Sequence, residues 1–192
     1  MIIYLLRHTK PDVPDETFYG HTDVDVVEED FKKNAPRIKK ILPVKQIDKI
    51  ISSPLQRCTK LAGVIADGQE FSTEKRIMEM NFGDWEMKNW NKIDQSKMEA
   101  WTQDFVNANT PNGESHYQLY KRAEEFWKDL IKKSYNKVCV VTHAGIIRSL
   151  LSLVLEMPIR KGFSIKLHYN ELVSIEHIEK DHYRVEFITN EI

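Results

Sequence analysis

Short apolar runs alternate along the chain with longer stretches in which apolar residues recur at helical spacing. Three runs are rich in β-branched residues and lack alternation with polar positions; they cover residues 2–6, 47–51 and 138–141. Such runs are typical of strands that are covered on both faces, as in a parallel sheet. Two later runs, at 172–178 and 183–188, flank Lys180-Asp181 and predict an antiparallel hairpin at the edge of the sheet.

Helical patterns separate the apolar runs, and they cover residues 30–42, 54–66, 115–133 and 144–155. Pro36 predicts that the first of these helices begins late or kinks. Ser53 is a candidate N-cap of the second helix, with Pro54 at the first helical position. Ser115 and Gln118 form a capping-box pattern at the start of the third.

The alternation of strands with helices predicts an α/β fold. We expect a three-layer α/β/α sandwich with a mostly parallel central sheet and an antiparallel edge strand. A further short strand is expected at 73–78. Residues 87–111, which carry Trp90 and Trp101, are expected to form helices over one end of the sheet. Since no repeat, low-complexity tract or linker interrupts the sequence, we expect a single domain over residues 1–192.

The charges of the chain nearly cancel, with 28 basic and 29 acidic side chains. This balance gives no sign of a surface for nucleic acid or anionic membranes, so any bound anion must be attracted by a local cluster. Cys58 and Cys139 indicate no disulfide framework. No apolar run approaches the roughly 20 residues needed to span a bilayer, and the early Arg7 argues against a signal peptide. We therefore expect a cytoplasmic protein, with its oligomeric state left open.

Polar residues follow each of the three buried runs. Arg7 and His8 come directly after the first, Arg57 comes shortly after the second, and His143 follows the third. Ligands bind beyond the carboxyl ends of the strands in an open α/β sheet, so these residues are expected to share one site. Arginine presents a fork of donors that suits phosphate, and a neutral imidazole is a competent nucleophile toward phosphorus. The second histidine, in its protonated form, would stabilise charge on the transferring oxygens.

Phosphoryl transfer of this kind also needs a proton donor for the leaving group. Glu79 is the first candidate, but the chemistry alone leaves Glu74, Asp84 and Glu86 open. A metal-dependent hydrolase, with the two histidines as ligands, is a competing interpretation. Zinc sites need three or four protein ligands, often in a pattern such as His-Glu-x-x-His, and the sequence contains no such pair.

Four blocks of sequence, taken together and in this order, resemble the histidine phosphatase (phosphoglycerate mutase-like) superfamily. The blocks are Arg7-His8-Thr9 and residues 52–57, 79–86 and 141–145. The resemblance implies that His8 is the phosphorylated nucleophile and that Glu79 is the general acid and base. It also implies that Arg7, Arg57 and His143 complete the phosphate pocket, with no cofactor and no metal ion.

Within this superfamily, segments 18–23 and 79–87 resemble the α-ribazole phosphatases of cobalamin nucleotide-loop assembly. By that resemblance the substrate is a small phosphorylated molecule, and the loop with Gly20 and Thr22 borders its phosphate, with Thr22 among the binding residues. The aromatic base of such a substrate would lie against the segment 87–111, where Trp90 or Trp101 would stack on it.

Two positions depart from the usual pattern of the superfamily. Thr9 stands where a glycine usually follows the nucleophilic histidine, and Pro14 stands where an asparagine is common. Both departures bear on the shape of the pocket and hence on the substrate. A phosphoglycerate mutase, a broad-specificity phosphatase and a non-catalytic phosphate-binding module remain alternatives, although mutases of this type are usually longer and binding alone needs no general acid.

Overall fold

In the computed structural model, which describes residues 1–43, 46–180 and 182–188, six strands form one sheet. The strands are β1 (Ile2–Arg7), β2 (Lys49–Ser52), β3 (Ser72–Thr73), β4 (Lys137–Thr142), β5 (Leu172–Glu179) and β6 (His182–Ile188). Their spatial order is β3-β2-β4-β1-β5-β6. The first four strands in this order are parallel, whereas β5 is antiparallel to both of its neighbours. The predicted edge hairpin is therefore confirmed; Asp181, in its predicted turn, lies outside the described residues.

Helices cover both faces of the sheet. They are α1 (Glu28–Ile41), α2 (Gln56–Ala66), α3 (Gln95–Gln103), α4 (His116–Leu130), α5 (Ala144–Val154) and α6 (Ile159–Gly162). One apolar core joins α4 and α5 to one face of the central strands, and a second core joins α1 and α2 to the other. This arrangement is the expected three-layer sandwich. No helix among the described residues is long and apolar enough to cross a membrane.

The carboxyl ends of the central strands lie level with one another. Arg7 is opposite Thr142 in the pairing of β1 with β4, and Ser52 is opposite Val141 in the pairing of β2 with β4. Because β5 runs the other way, its first residue, Leu172, lies beside Leu6 near the end of β1. Residues that precede β5 therefore meet residues that follow β1, β2 and β4 at one edge of the sheet.

The prediction of a strand at 73–78 is mostly wrong. Only Ser72 and Thr73 pair with β2, and the chain then forms a 3₁₀ turn at Lys75–Ile77. The Glu74 carboxylate accepts a hydrogen bond from the backbone nitrogen of Arg76, which stabilises a turn in place of further strand pairing. This turn redirects the chain toward the carboxyl edge of the sheet.

Two predicted helix starts are also corrected. The first helix begins at Glu28 and continues through Pro36, and its acidic first turn interacts favourably with the helix dipole. The second begins at Gln56, and Ser53 is not its N-cap. Instead, the carboxylate of Asp23, distant in sequence, accepts a hydrogen bond of 2.7 Å from the backbone nitrogen of Gln56. The cap of α2 thus ties the 19–23 loop to the sheet edge.

Two other predictions about the helices are confirmed. Ser115 and Gln118 form the expected capping box at the start of α4, and α5 follows β4 directly. The segment 87–111 contains a 3₁₀ turn at Trp90–Lys92 and helix α3, so it is only partly helical.

Candidate active site

The two predicted histidines meet at the carboxyl edge of the sheet. The ring centroids of His8 and His143 are 5.0 Å apart, with the rings edge to face. Both side chains are almost completely buried, with exposed fractions of 2% and 0%. The backbone nitrogen of His8 donates to the carbonyl oxygen of Thr142, which precedes His143, at 3.1 Å. Extension of the β1–β4 pairing by this bond fixes the two imidazoles relative to each other.

The His8 imidazole is oriented by the backbone of the next residue. Its Nδ1 lies 2.7 Å from the carbonyl oxygen of Thr9. A carbonyl oxygen can only accept, so Nδ1 carries the proton and the lone pair of the neutral ring lies on Nε2. Burial, and after it the charges of Arg57 and Arg7, hold the pKa of His8 well below its usual range. The free imidazole is therefore in the form required of a nucleophile.

Both predicted arginines lie in the same pocket and have donors to spare. Arg57 is fully buried and donates from Nη2 to the carbonyl oxygen of Gly20 at 2.7 Å and from Nη1 to that of Thr22 at 3.0 Å. Arg7 donates from Nη1 to the carbonyl oxygen of Leu167 at 2.7 Å. The Nε atom of each is buried and has no partner among the described residues. Because a buried donor without an acceptor is costly, two such donors beside a pair of histidines indicate an anion site.

His143 is held by groups on the second strand–helix connection. Its Nε2 lies 2.8 Å from the hydroxyl oxygen of Ser53 and 3.5 Å from the sulfur of Cys58. Burial, followed by the charges of Arg57 and His8, lowers the pKa of His143 well below its usual range. The protein's own groups thus favour the neutral form, and the protonated His143 expected from the sequence requires the negative charge of a bound phosphate.

Glu79 lies against the start of α5. Its Oε2 accepts from the backbone nitrogen of Gly145 at 3.2 Å, and its Oε1 accepts from that of Met80 at 2.9 Å. A Cβ atom at Gly145 would lie 2.2 Å from Oε1, so only glycine allows the carboxylate to approach this closely. Since His143 is the N-cap of α5, the carboxylate lies at the helix terminus that carries the second histidine.

The competing carboxylates are engaged elsewhere. Glu74 pairs with Arg76, and Asp84 is exposed and accepts from the side chain of Asn112. Burial alone would raise the pKa of Glu86, but hydrogen bonds from Thr22 and from neighbouring backbone nitrogens lower it below its ordinary value. A carboxylate held ionised in this way is a poor proton donor, which leaves Glu79 as the candidate that fits best.

Glu86 organises the loop that carries Thr22. It accepts from the backbone nitrogen of His21 at 2.6 Å and from both the backbone nitrogen and the hydroxyl of Thr22. The Thr22 carbonyl oxygen accepts from Arg57. Thr22 therefore lies beside Arg57, but its backbone nitrogen and hydroxyl are both committed to Glu86, and only its carbonyl oxygen contacts the guanidinium.

Two tyrosines at the pocket were not identified as site residues from the sequence. The ring of Tyr169 lies 5.8 Å from that of His8 and 4.0 Å from the guanidinium carbon of Arg7. Its hydroxyl oxygen is 2.8 Å from that of Tyr19, whose ring faces Arg57 at 5.4 Å. Tyr19 lies inside segment 18–23, one of the two segments that resemble α-ribazole phosphatases. Tyr169 was identifiable only from the antiparallel direction of β5, which brings the preceding residues to the same edge.

The sequence matches the family model of the histidine phosphatase superfamily (branch 1) over residues 3–191. The chain belongs to this superfamily. The family resemblance of the four sequence blocks is thereby confirmed.

Curated relatives of this histidine phosphatase are named phosphatases, which confirms the expected class of enzyme. The adenosylcobalamin/α-ribazole phosphatase of Salmonella typhimurium is 27% identical over 165 residues, which cover 82% of this chain and 81% of the relative. The phosphoserine phosphatase 1 of Hydrogenobacter thermophilus is 28% identical over 189 residues, covering 93% and 87%. The crystal structure of the α-ribazole phosphatase from Shigella flexneri has a TM-score of 0.89 at 22% identity, over 97% of this chain and 95% of that chain. This structural likeness confirms the fold.

The two departures from the superfamily pattern have different surroundings in this histidine phosphatase. Thr9 is fully buried, and its hydroxyl oxygen has no partner among the described residues. Pro14 is exposed on the loop that follows. Position 9 is therefore enclosed within the protein, whereas position 14 lies at its surface.

The two tryptophans that are candidates for stacking on a substrate differ in how exposed their rings are. Trp101 lies within a cluster of aromatic rings, with centroids 5.6 Å from Trp85 and 5.9 Å from His116. Trp90 is half exposed, in a segment whose backbone bonds to that of Glu16. Of the two, Trp90 has the ring that remains accessible to a ligand.

Proposed function

We propose that this histidine phosphatase hydrolyses small phosphomonoesters through a phosphohistidine on His8. The observation that carries the proposal is the set of buried donors without protein partners, on Arg7 and Arg57, around an imidazole held with its lone pair on Nε2. A tetrahedral dianion satisfies donors of this kind, and phosphate matches the planar fork of arginine.

The reaction takes two balanced steps. Nε2 of His8 attacks phosphorus, the bond from phosphorus to the ester oxygen breaks, and the proton of Glu79 passes to the departing oxygen. Glu79 then takes a proton from water while the water oxygen attacks phosphorus and the N–P bond breaks. Phosphate leaves, and the neutral imidazole and the protonated carboxyl group are restored. Arg7, Arg57 and His143, which gains a proton as the dianion binds, stabilise the charge on the transferring oxygens.

The whole chain, residues 1–192, is proposed to be one catalytic domain, and its proposed location is the cytoplasm. The family match supports the first proposal because it extends from residue 3 to 191. The free thiols of Cys58 and Cys139 support the second, because proteins of reducing compartments rarely contain disulfides.

Glu79→Gln should reduce the hydrolysis of alkyl phosphates by about 10²–10³-fold, within the usual contribution of a general acid. It should reduce that of p-nitrophenyl phosphate by less than about tenfold, because p-nitrophenolate leaves without a proton. The measurement is kcat/KM on both substrates, because this ratio reports the transfer to His8, whereas kcat also contains the hydrolysis of phosphohistidine, in which Glu79 acts as a base with either substrate. Glu74→Gln is the matched control, since Glu74 lies in the same segment and pairs with Arg76. Equal losses on both substrates with Glu79→Gln would contradict a role as general acid.

The natural substrate is proposed to be α-ribazole 5′-phosphate. The name of the Salmonella typhimurium relative supports this choice, as does an exposed Trp90 on a segment that pairs with the chain just before Tyr19. Binding energy from a base that stacks on Trp90 would be available to orient the distant phosphate.

A purified phosphomonoester series tests the substrate. The value of kcat/KM should be higher for α-ribazole 5′-phosphate than for 3-phosphoglycerate, phosphoserine and simple sugar phosphates. Trp90→Ala should lower it for α-ribazole 5′-phosphate alone. A clear preference for phosphoserine or a sugar phosphate would reject the substrate but not the phosphatase. Each assay is repeated with EDTA: activity that is lost and then restored by zinc or magnesium would favour the metal-dependent alternative.

A further inference from the structure

One side chain of α4 binds the backbone on both sides of the proton donor. Arg122 donates from Nη1 to the carbonyl oxygens of Arg76 at 2.8 Å and Met78 at 2.6 Å, and from Nη2 to the carbonyl oxygen of Glu79 at 2.9 Å. Three carbonyl groups of one short segment thus converge on one guanidinium. Residues 76–81 pair with no strand among the described residues, and one side chain of β4 reaches them: the Thr142 hydroxyl donates to the carbonyl oxygen of Ile77 at 2.8 Å.

Glu114 completes the arrangement from the other side. Its two oxygens accept from Nη2 and Nε of Arg122 at 2.6 and 3.2 Å, in a bidentate ion pair. Oε1 also accepts from the backbone nitrogen of Asn81 at 2.8 Å. The pair is mostly buried, with side-chain exposed fractions of 18% for Arg122 and 16% for Glu114. Bidentate pairs in such surroundings are stiffer and stronger than exposed ones.

The carboxyl group of Glu79 has few other restraints. It accepts one bond from Gly145, at 3.2 Å, and one from its own neighbour Met80. Close packing at Gly20, where a Cβ atom would lie 1.6 Å from the carbonyl oxygen of Met80, limits movement toward the 19–23 loop. Movement away from the pocket is opposed by Arg122 and Glu114.

We propose that Arg122 and Glu114 are positioning residues that hold the carboxyl group of Glu79 at the leaving-group oxygen. The inference rests on the proposed function, in which Glu79 gives that oxygen a proton. Neither residue touches the reacting atoms. Their effect on the transfer to His8 should therefore appear only with leaving groups that need the proton. A displacement of about 1 Å at such a group costs up to about 10²-fold in rate.

The test compares two substrates that differ in their need for a proton. Arg122→Lys keeps the charge but presents a single nitrogen, so it cannot bind all three carbonyl oxygens. Glu114→Gln keeps the acceptor for Asn81 and removes the ion pair. Both variants should lower kcat/KM for an alkyl phosphate by about 10- to 100-fold and leave kcat/KM for p-nitrophenyl phosphate within about threefold, because this ratio reports the transfer to His8 and not the later hydrolysis of phosphohistidine.

A double variant distinguishes positioning from a general effect on the fold. In the Glu79→Gln background, Arg122→Lys should cause little further loss, because the group that it positions has no proton to give. Arg76→Lys is the matched control: Arg76 lies in the same segment, but it pairs with Glu74 and Asp129 at the surface. It should lower the melting temperature without changing the ratio of the two substrates.

Equal losses on both substrates, or losses that add to those of Glu79→Gln, would overturn the inference while the proposed function stands. If Arg122→Lys does not fold, Glu114→Gln decides by the same criteria. If Glu79→Gln itself shows no dependence on the leaving group, the acid role fails, and the positioning role fails with it.

Discussion

Replacement of His8 by alanine is expected to reduce phosphomonoester hydrolysis by at least about 10⁴-fold, because the loss of a nucleophile has effects of this order or larger. The other buried imidazoles among the described residues, His116 and His143, are engaged: Nδ1 of His116 lies 3.0 Å from the carbonyl oxygen of Phe105. His143 is beside His8, but its Nε2 is engaged with Ser53 and Cys58. The variant should also fail to form a phosphorylated intermediate.

Quenching during turnover without acid should trap the intermediate. In the unmodified protein the adduct should be labile in acid and stable in base, as expected of a phosphohistidine, and His8→Ala should yield none. His182→Ala, which removes an exposed imidazole on β6, is the matched control and should retain both adduct and activity. Undiminished activity in His8→Ala would remove the central proposal.

The protonation of His8 gives an independent check. Burial, Arg57 and Arg7 depress its pKa in the folded protein, so the imidazole should stay neutral as pH falls through its ordinary value of about 6.5. The unfolded chain takes up this proton, so folding stability should decrease as pH falls below about 6.5. An NMR titration of the His8 ring is the measurement, and a midpoint above 6.5 in the free protein would contradict the described surroundings.

Replacement of Arg57 by methionine is expected to have the next largest effect, a loss of about 10³-fold in kcat/KM. The substitution removes a charge from a fully buried pocket, and it also leaves the carbonyl oxygens of Gly20 and Thr22 without their donor. Arg57→Lys should recover only part of the activity, because an ammonium group cannot bind both carbonyl oxygens and an anion in the same plane.

Inhibition by vanadate reports the interaction between Arg57 and the transferring group without the need for turnover. Its five-coordinate geometry resembles the transition state, so inhibition should weaken in Arg57→Met by a factor similar to the loss in kcat/KM. Arg184→Met, at an exposed ion pair on β6, is the matched control. Unchanged inhibition by vanadate in Arg57→Met would show that this guanidinium serves only to hold the 19–23 loop.

The central strands and the main catalytic candidates could be predicted because they depend on local pattern. A buried strand shows an unbroken apolar run, and a parallel sheet brings the residues after each run to one edge. Arg7, His8 and His143 follow from these two rules alone.

Other parts of the site depend on contacts between residues distant in sequence. Ser53 has the local pattern of a helix cap, but its hydroxyl lies against His143 because β2 and β4 are neighbours. Arg122 resembles any solvated position on an amphipathic helix until the 76–81 segment is placed beside it. The chemistry of the sequence alone does not distinguish Glu79 from Glu86. The family resemblance favours Glu79, and the hydrogen bonds of the two carboxylates show how their surroundings differ.

The place of β4 in the sheet also bears on how the protein is made. β1 and β2 leave the ribosome early, yet they do not pair with each other; each pairs with β4, which is synthesised some 85 residues after β2 ends. Until then β1 has no neighbouring strand and β2 has only the two residues of β3, and exposed apolar segments of this kind are the parts of a nascent chain that bind chaperones or aggregate. The strand that finally separates them ends next to His143. The pairing of β1 and β2 with β4 and the meeting of the two histidines are therefore one event, and a chain synthesised only as far as β3 has neither.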